Sequence, residues 1–220
     1  MLHKNTLSFL KDIKINNQKQ WLDANRREYE NAKEDFINLV NDIITGISRF
    51  DPAMETLTAK DCTFRLNRDI RFSKDKSPYK TNFGAGFNEG GKKAVNAGYY
   101  LHIEPGQSFI GGGFWMPPAA AIAKIRQEID YNFEEWNTII NSKNFKTNFA
   151  KGLNLEGTLK RSPKGYEEDN PSIKFLKLKS YTITKPVTDA EIILPSLKKN
   201  ITDTFKSMQP FLNFLNRATH

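Results

Sequence analysis

Apolar residues recur at intervals of three and four near both ends of the chain, which is the spacing of one buried helical face. Near the N-terminus this pattern predicts short helices around residues 7–13 and 21–22 and a long helix over 26–48, which Asp51-Pro52 ends. A second helical region is predicted over 118–140. The C-terminal helix is predicted from Leu197, Ile201, Phe205, Met208, Leu212 and Leu215.

The middle of the chain changes to a period of two, which indicates strands with one buried face. Strands are predicted at 62–66, 83–87, 99–103 and 108–115, and a last one at 181–184. Their short connections favour an antiparallel arrangement. Residues 143–170 are polar, contain Gly and Pro, and predict an irregular segment. The fold class is therefore α+β: one domain over residues 1–220, with a mainly antiparallel sheet packed by the N-terminal and C-terminal helices.

Composition fits a folded core, since 38% of the 220 residues are hydrophobic. Cys62 is the single cysteine, so no internal disulfide can form, and we expect it to be a small buried residue in a strand. No Cys/His cluster has zinc spacing, so neither a metal nor a cofactor is predicted. No signal-peptide core and no membrane-spanning apolar run is present, and we expect a cytoplasmic protein.

The net charge of +8 is unevenly distributed along the chain. Residues 60–80 carry seven Lys/Arg against three Asp, and residues 141–180 carry nine against four acidic residues. Such asymmetry indicates an anionic partner, which could be nucleic acid, a phosphorylated metabolite or an acidic protein. A solvated basic face that keeps the protein in solution is the alternative.

The segment 64–81 concentrates cations and neutral hydrogen-bond donors around few apolar residues. A guanidinium offers a planar fork of donors that suits phosphate or carboxylate, and lysines add point charges. Alternatively, Asp69 and Asp75 could neutralise these cations in internal ion pairs. The predicted ligand-binding residues are Arg65, Arg68, Asp69, Arg71, Ser73, Lys74, Lys76, Tyr79 and Lys80.

Three further positions are candidates for chemistry. His102 lies on the strand face opposite Leu101 and Ile103 and is a weak candidate for a general base, because a lone histidine is more often structural. Glycines at 111–113 inside a strand predict close backbone packing or, less often, a flat floor under a ligand. Arg126 either reaches the sheet or extends to solvent.

The residues of several segments resemble a widespread family of bacterial and fungal proteins known as domain of unknown function 2461. The most specific segment is 68–81, and the resemblance covers essentially the whole chain. It implies a single domain, and it supplies no reaction, cofactor or catalytic residue that could be assigned to this chain. The other segments that carry it are 16–29, 98–103, 111–117, 171–180 and 209–215.

Three functions fit these observations. The first is binding of a small anionic or phosphorylated ligand around residues 65–81, with or without enzymatic turnover. The second is binding of a nucleic-acid backbone through the basic segments 60–80 and 141–180. The third is an interaction module for an acidic protein partner. The sequence leaves open which of these applies, whether a reaction is catalysed and what the oligomeric state is.

Overall fold

A four-stranded antiparallel sheet lies at the centre of the fold, as seen in a computed structural model that describes residues 1–219. Its strands run in spatial order β1, β2, β3 and β4, so each strand pairs with its neighbours in sequence. The antiparallel arrangement predicted from the sequence is therefore confirmed, and the strands form a meander. The strands are β1 (Phe83–Phe87), β2 (Gly98–Ile103), β3 (Phe109–Phe114) and β4 (Tyr181–Pro186).

Helices precede the sheet, separate β3 from β4 and close the chain. The long helices α3 and α10 match the two strongest predictions from apolar spacing. The helices are α1 (Lys4–Ile15), α2 (Lys19–Ala24), α3 (Arg26–Ile47), α4 (Ala59–Cys62), α5 (Ala119–Tyr131), α6 (Phe133–Asn141), α7 (Lys143–Asn148), α8 (Ile173–Leu176), α9 (Asp189–Ile192) and α10 (Leu197–Thr219), with a 3-10 turn at Pro52–Met54.

One face of the sheet is covered by helices from both ends of the chain. Helix α10 packs against β3, and α3 packs against β1. Gly112 allows this close approach, because a Cβ there would lie 2.7 Å from the sulfur of Met208. The ring of Phe36 stacks on that of Phe83 with centroids 5.3 Å apart. The apolar residues of the strands thus face a helical layer, and the α+β fold class is confirmed.

The strand predicted at 62–66 is wrong. Cys62 instead ends the short helix α4, which is stabilised where the Asp61 carboxylate accepts hydrogen bonds from the N–H and hydroxyl of Thr58. Beyond it, Thr63 forms an isolated bridge with Ala85. Cys62 is fully buried, as expected, but the alternating pattern fails at Phe64, which is 39% exposed.

The segment 143–170 is less irregular than predicted. It begins with helix α7, where the Ser142 hydroxyl accepts a hydrogen bond from the N–H of Phe145. Phe145 and Phe149 are buried in the core, and Leu153 bridges to Ile183. Apolar anchors therefore tie this polar segment to the edge strand β4.

Candidate functional site

The sheet face opposite the helical layer is open and forms the floor of a cavity of about 660 Å³. In register across the strands, Tyr100 lies between Gly86 and Gly111, and Gly98 lies opposite Gly113. Side chains on one face of neighbouring strands normally touch each other. Here glycines remove the side chains around Tyr100, so that part of the floor is bare backbone.

Two glycines of this face, Gly84 and Gly113, lie where a side chain would alter the site. A Cβ on Gly84 would lie 2.7 Å from the hydroxyl oxygen of Tyr100, so glycine leaves room for that hydroxyl. Gly113 has a φ of 125°, a conformation that side-chain-bearing residues rarely adopt. At 111–113 the predicted close packing is seen for Gly112, which packs on α10, while Gly111 and Gly113 line the cavity.

Tyr100 and His102, which line the cavity from β2, form a hydrogen-bonded chain with Glu104, which directly follows the strand. The hydroxyl of Tyr100 lies 3.1 Å from His102 Nδ1, and His102 Nε2 lies 3.2 Å from Glu104 Oε2. The side chains of His102 and Glu104 are each 14% exposed. The imidazole also stacks on Phe109, with centroids 4.7 Å apart and an interplanar angle of 12°. Both ring nitrogens and the ring plane of His102 are therefore fixed.

Other side chains hold Glu104 in place. The Thr81 hydroxyl donates to Glu104 Oε1 over 2.7 Å, and the Lys14 ammonium lies 3.8 Å from the same oxygen. The Glu104 backbone N–H donates to the hydroxyl of Ser108. Burial, and secondarily the charge of Glu104, raises the pKa of Tyr100 to about 12. Tyr100 is therefore a protonated phenol near neutral pH.

Lys80 supplies positive charge at the cavity. Its ammonium lies 5.4 Å from the centre of the Phe64 ring, and both side chains line the cavity. Burial, followed by the charge of Arg65, lowers the pKa of Lys80. Among residues 1–219 no carboxylate lies within 4.0 Å of this ammonium, so its charge has no counter-ion there.

Two of the three arginines in the predicted anion-binding segment, Arg68 and Arg71, form ion pairs. Arg68 pairs with Asp75, and Arg71 donates to both oxygens of Asp69, at 3.0 and 2.7 Å. Hydrogen bonds from Ser77, and then from Arg68, hold the pKa of Asp75 well below its usual range. These contacts correspond to the alternative in which aspartates neutralise the loop internally.

The remaining predicted residues do not converge on one point. Lys76 donates to the Ile70 carbonyl, and Tyr79 is buried, with its backbone N–H donating to Asn17. Arg65 and Lys74 are exposed, and Ser73 lies near Arg68. Of all the residues predicted to bind an anion, Lys80 alone lines the cavity.

Arg126 has a structural position that neither sequence-based interpretation anticipated. Its guanidinium donates to the carbonyls of Leu176, at 2.7 Å, and Leu178, at 3.3 Å. It therefore joins α5 to the end of α8. Among residues 1–219, no cluster of three or more His, Cys, Asp or Glu side chains could hold a metal ion.

Sequence reasoning missed the cavity as the central feature. Its signal was present in Gly84 and Gly86, which alternate with the apolar residues Phe83, Ala85 and Phe87. Asn154, which also lines the cavity, comes from a distant part of the chain and gave no signal, whereas Trp115 directly follows β3.

Fold and site together define an α+β protein with a meander sheet, helices on one face and a glycine-floored cavity on the other. The chain belongs to the family described as "Conserved hypothetical protein (DUF2461)", whose model matches residues 5–214 of 220. No curated protein and no solved structure matches it significantly. Within residues 1–219 no helix is both long and apolar enough to cross a bilayer.

Proposed function

We propose that the protein binds a small anionic ligand in the cavity on the open face of the sheet. The observation that carries this proposal is the glycine floor, which keeps a concave space of about 660 Å³ free of side chains. Ligand pockets are typically concave spaces of about 300–1,000 Å³. A protein without a ligand for this face would be expected to fill it with packed side chains.

The charge of the ligand is inferred from Lys80. A partly buried ammonium without a counter-ion gains most from an anionic ligand, because the attraction is stronger where water is partly excluded. Phe64 and the exposed ring of Trp115 offer apolar surface beside it. A ligand with a phosphate or carboxylate group and a flat body fits this combination.

The test is thermal unfolding with phosphorylated metabolites, inorganic phosphate and short oligonucleotides, each at low and at physiological salt. A ligand at about 100 times its Kd should raise the melting temperature by about 5–10 °C. Lys80→Met should remove most of the shift, whereas Lys74→Met, an exposed lysine of the same segment, should keep it. Gly86→Leu should remove the shift as well, since its side chain would occupy the cavity.

Three other outcomes would contradict this assignment. A shift lost in Arg71→Ala but kept in Lys80→Met would move the ligand to the loop at residues 65–81. A shift with oligonucleotides alone would favour nucleic acid. No shift with any compound would favour an acidic protein partner and a purely internal role for the arginines.

Nucleic-acid binding is a second candidate, supported by exposed aromatic residues near basic ones. Phe72 is 95% exposed, with the Arg71 guanidinium 5.8 Å from its ring centre. Both basic segments also reach the cavity, through Lys80 and Asn154. Bases stack on such rings and phosphates pair with such cations. Fluorescence anisotropy with a labelled single strand should then fall steeply as salt rises, and Phe72→Ala should weaken binding.

A cytoplasmic location also stays a prediction.

A further inference from the structure

The hydrogen-bonded chain of Tyr100, His102 and Glu104 has a defined direction. A carboxylate can only accept, so His102 Nε2 carries a proton and donates it to Glu104. In the neutral imidazole Nδ1 then has a free lone pair, and it accepts the Tyr100 O–H. In this tautomer the phenol proton points at a base, and the phenol oxygen belongs to a residue that lines the cavity.

This arrangement is the one that activates a hydroxyl in nucleophile–base–carboxylate triads, with a tyrosine at the first position. The carboxylate fixes the tautomer and would stabilise the imidazolium that forms on proton transfer. The bond from Thr81 and the stacking on Phe109 hold the base and the carboxylate in that geometry.

We propose that Tyr100 is a catalytic residue that exchanges a proton with the ligand in the cavity, with His102 as its base and Glu104 as the group that orients His102. The proposal rests on the proposed function, because it requires a ligand above the glycine floor. When the ligand loses a proton to the Tyr100 oxygen, the phenol proton moves to His102 Nδ1. The reverse transfer returns a proton to the ligand, so the protein ends unchanged.

The raised pKa of Tyr100 makes this proposal testable without knowing the substrate. A buried phenol with a pKa of about 12 is ionised less than an exposed tyrosine at the same pH. Without a base it should therefore react more slowly with electrophiles. With His102 accepting its proton during the attack, it should react faster.

The probe is 4-(fluorosulfonyl)benzoate, which is flat and carries one carboxylate for Lys80. In the reaction a bond forms between the Tyr100 oxygen and sulfur, the S–F bond breaks, fluoride leaves and the phenol proton passes to His102. Peptide mapping by mass spectrometry follows each tyrosine separately. Tyr131 is an internal reference because it is 73% exposed. At about pH 8 we expect Tyr100 to be modified at least about tenfold faster than Tyr131.

Variants then assign the effect. His102→Gln should slow modification of Tyr100 by about a hundredfold and leave Tyr131 unchanged. His3→Gln replaces an exposed histidine and should alter neither rate. Equal or faster modification of Tyr131 in the unsubstituted protein would overturn the proposal, and that comparison needs no variant to fold. An unchanged Tyr100 rate in a folded His102→Gln protein would overturn it as well.

The same experiment separates this proposal from ligand binding. Lys80→Met should raise the probe concentration needed for half-maximal rate relative to the unsubstituted protein. If Tyr100 reacts fast but without saturation in both the unsubstituted and the Lys80→Met protein, the proton transfer from Tyr100 to His102 is supported and the anion site is contradicted. If the rate saturates and depends on Lys80 but not on His102, the anion site is supported and the role of His102 as a base is contradicted.

Discussion

Gly84 and Gly86 lie two residues apart on β1 and leave different amounts of room for a side chain. A methyl group on Gly84 would lie 2.7 Å from the Tyr100 oxygen, whereas the nearest atom to one on Gly86 is 3.5 Å away. The contact at Gly84 is with the end of a side chain, so we expect the tyrosine to move and the backbone to stay in place.

Gly84→Ala should therefore break the bond between Tyr100 and His102 at little cost in stability. The expected result is slow sulfonylation of Tyr100, with a melting temperature close to that of the unsubstituted protein. Gly86→Ala is the matched control and should keep the fast reaction. Fast labelling in a folded Gly84→Ala protein would mean that the hydroxyl does not need the position it occupies here.

At the scale of elements, Arg126 links α5 to the chain between α8 and β4. Removing it leaves the carbonyls of Leu176 and Leu178, two fully buried residues, without this donor. Arg126→Met should lower the free energy of unfolding by about 1–3 kcal/mol. Lys124→Met, at an exposed position of the same helix, should change it by less than about 0.5 kcal/mol. Urea unfolding measures both, and equal values would contradict a structural role for Arg126.

The stability of the loop between Arg68 and Ser77 should depend on pH, because the ionised Asp75 accepts hydrogen bonds from both of these residues. Hydrogen bonds from Ser77, followed by Arg68, lower the folded-state pKa of Asp75, so its contribution is complete above the unfolded pKa of about 3.9. It is lost as the pH falls below that value toward the folded pKa. The amide signal of Ser77, which donates to Asp75, should follow this loss in an NMR titration. Asp75→Asn should remove the dependence, and an inflection above pH ~4 would contradict the assignment.

Across the whole chain, the sequence predicted the helices and strands better than it predicted the cavity. Helices α3 and α10 follow from apolar spacing, which is local information. The cavity depends on strand register, which places Gly86 and Gly111 on either side of Tyr100. No single segment contains that relation. The pairing of Arg68 with Asp75 likewise depends on how the loop closes, and composition alone left it open.

The helices at both chain ends and the sheet share one hydrophobic core, which predicts a single unfolding transition. Trp136 of α6 packs on Phe211 and Phe214 of α10, and Phe9 of α1 packs on Phe83 of β1. Cys62 is a natural probe of this core, because it is fully buried, and burial, followed by the charge of Asp61, raises its pKa to about 12. Its thiol should resist a disulfide reagent in the folded state.

The measurement is reaction of Cys62 with 5,5′-dithiobis(2-nitrobenzoate) across a urea gradient, compared with far-UV circular dichroism. One cooperative domain over the whole chain requires the two midpoints to coincide. A Cys62 that reacts at lower urea than the loss of helix would mean that α4 and its surroundings open separately, and the single-domain prediction would then be wrong. If Cys62 reacts at the urea midpoint of the circular dichroism signal, the sheet and both terminal helices unfold together. The stability effects of substitutions on the sheet can then be compared as changes in one free energy of unfolding.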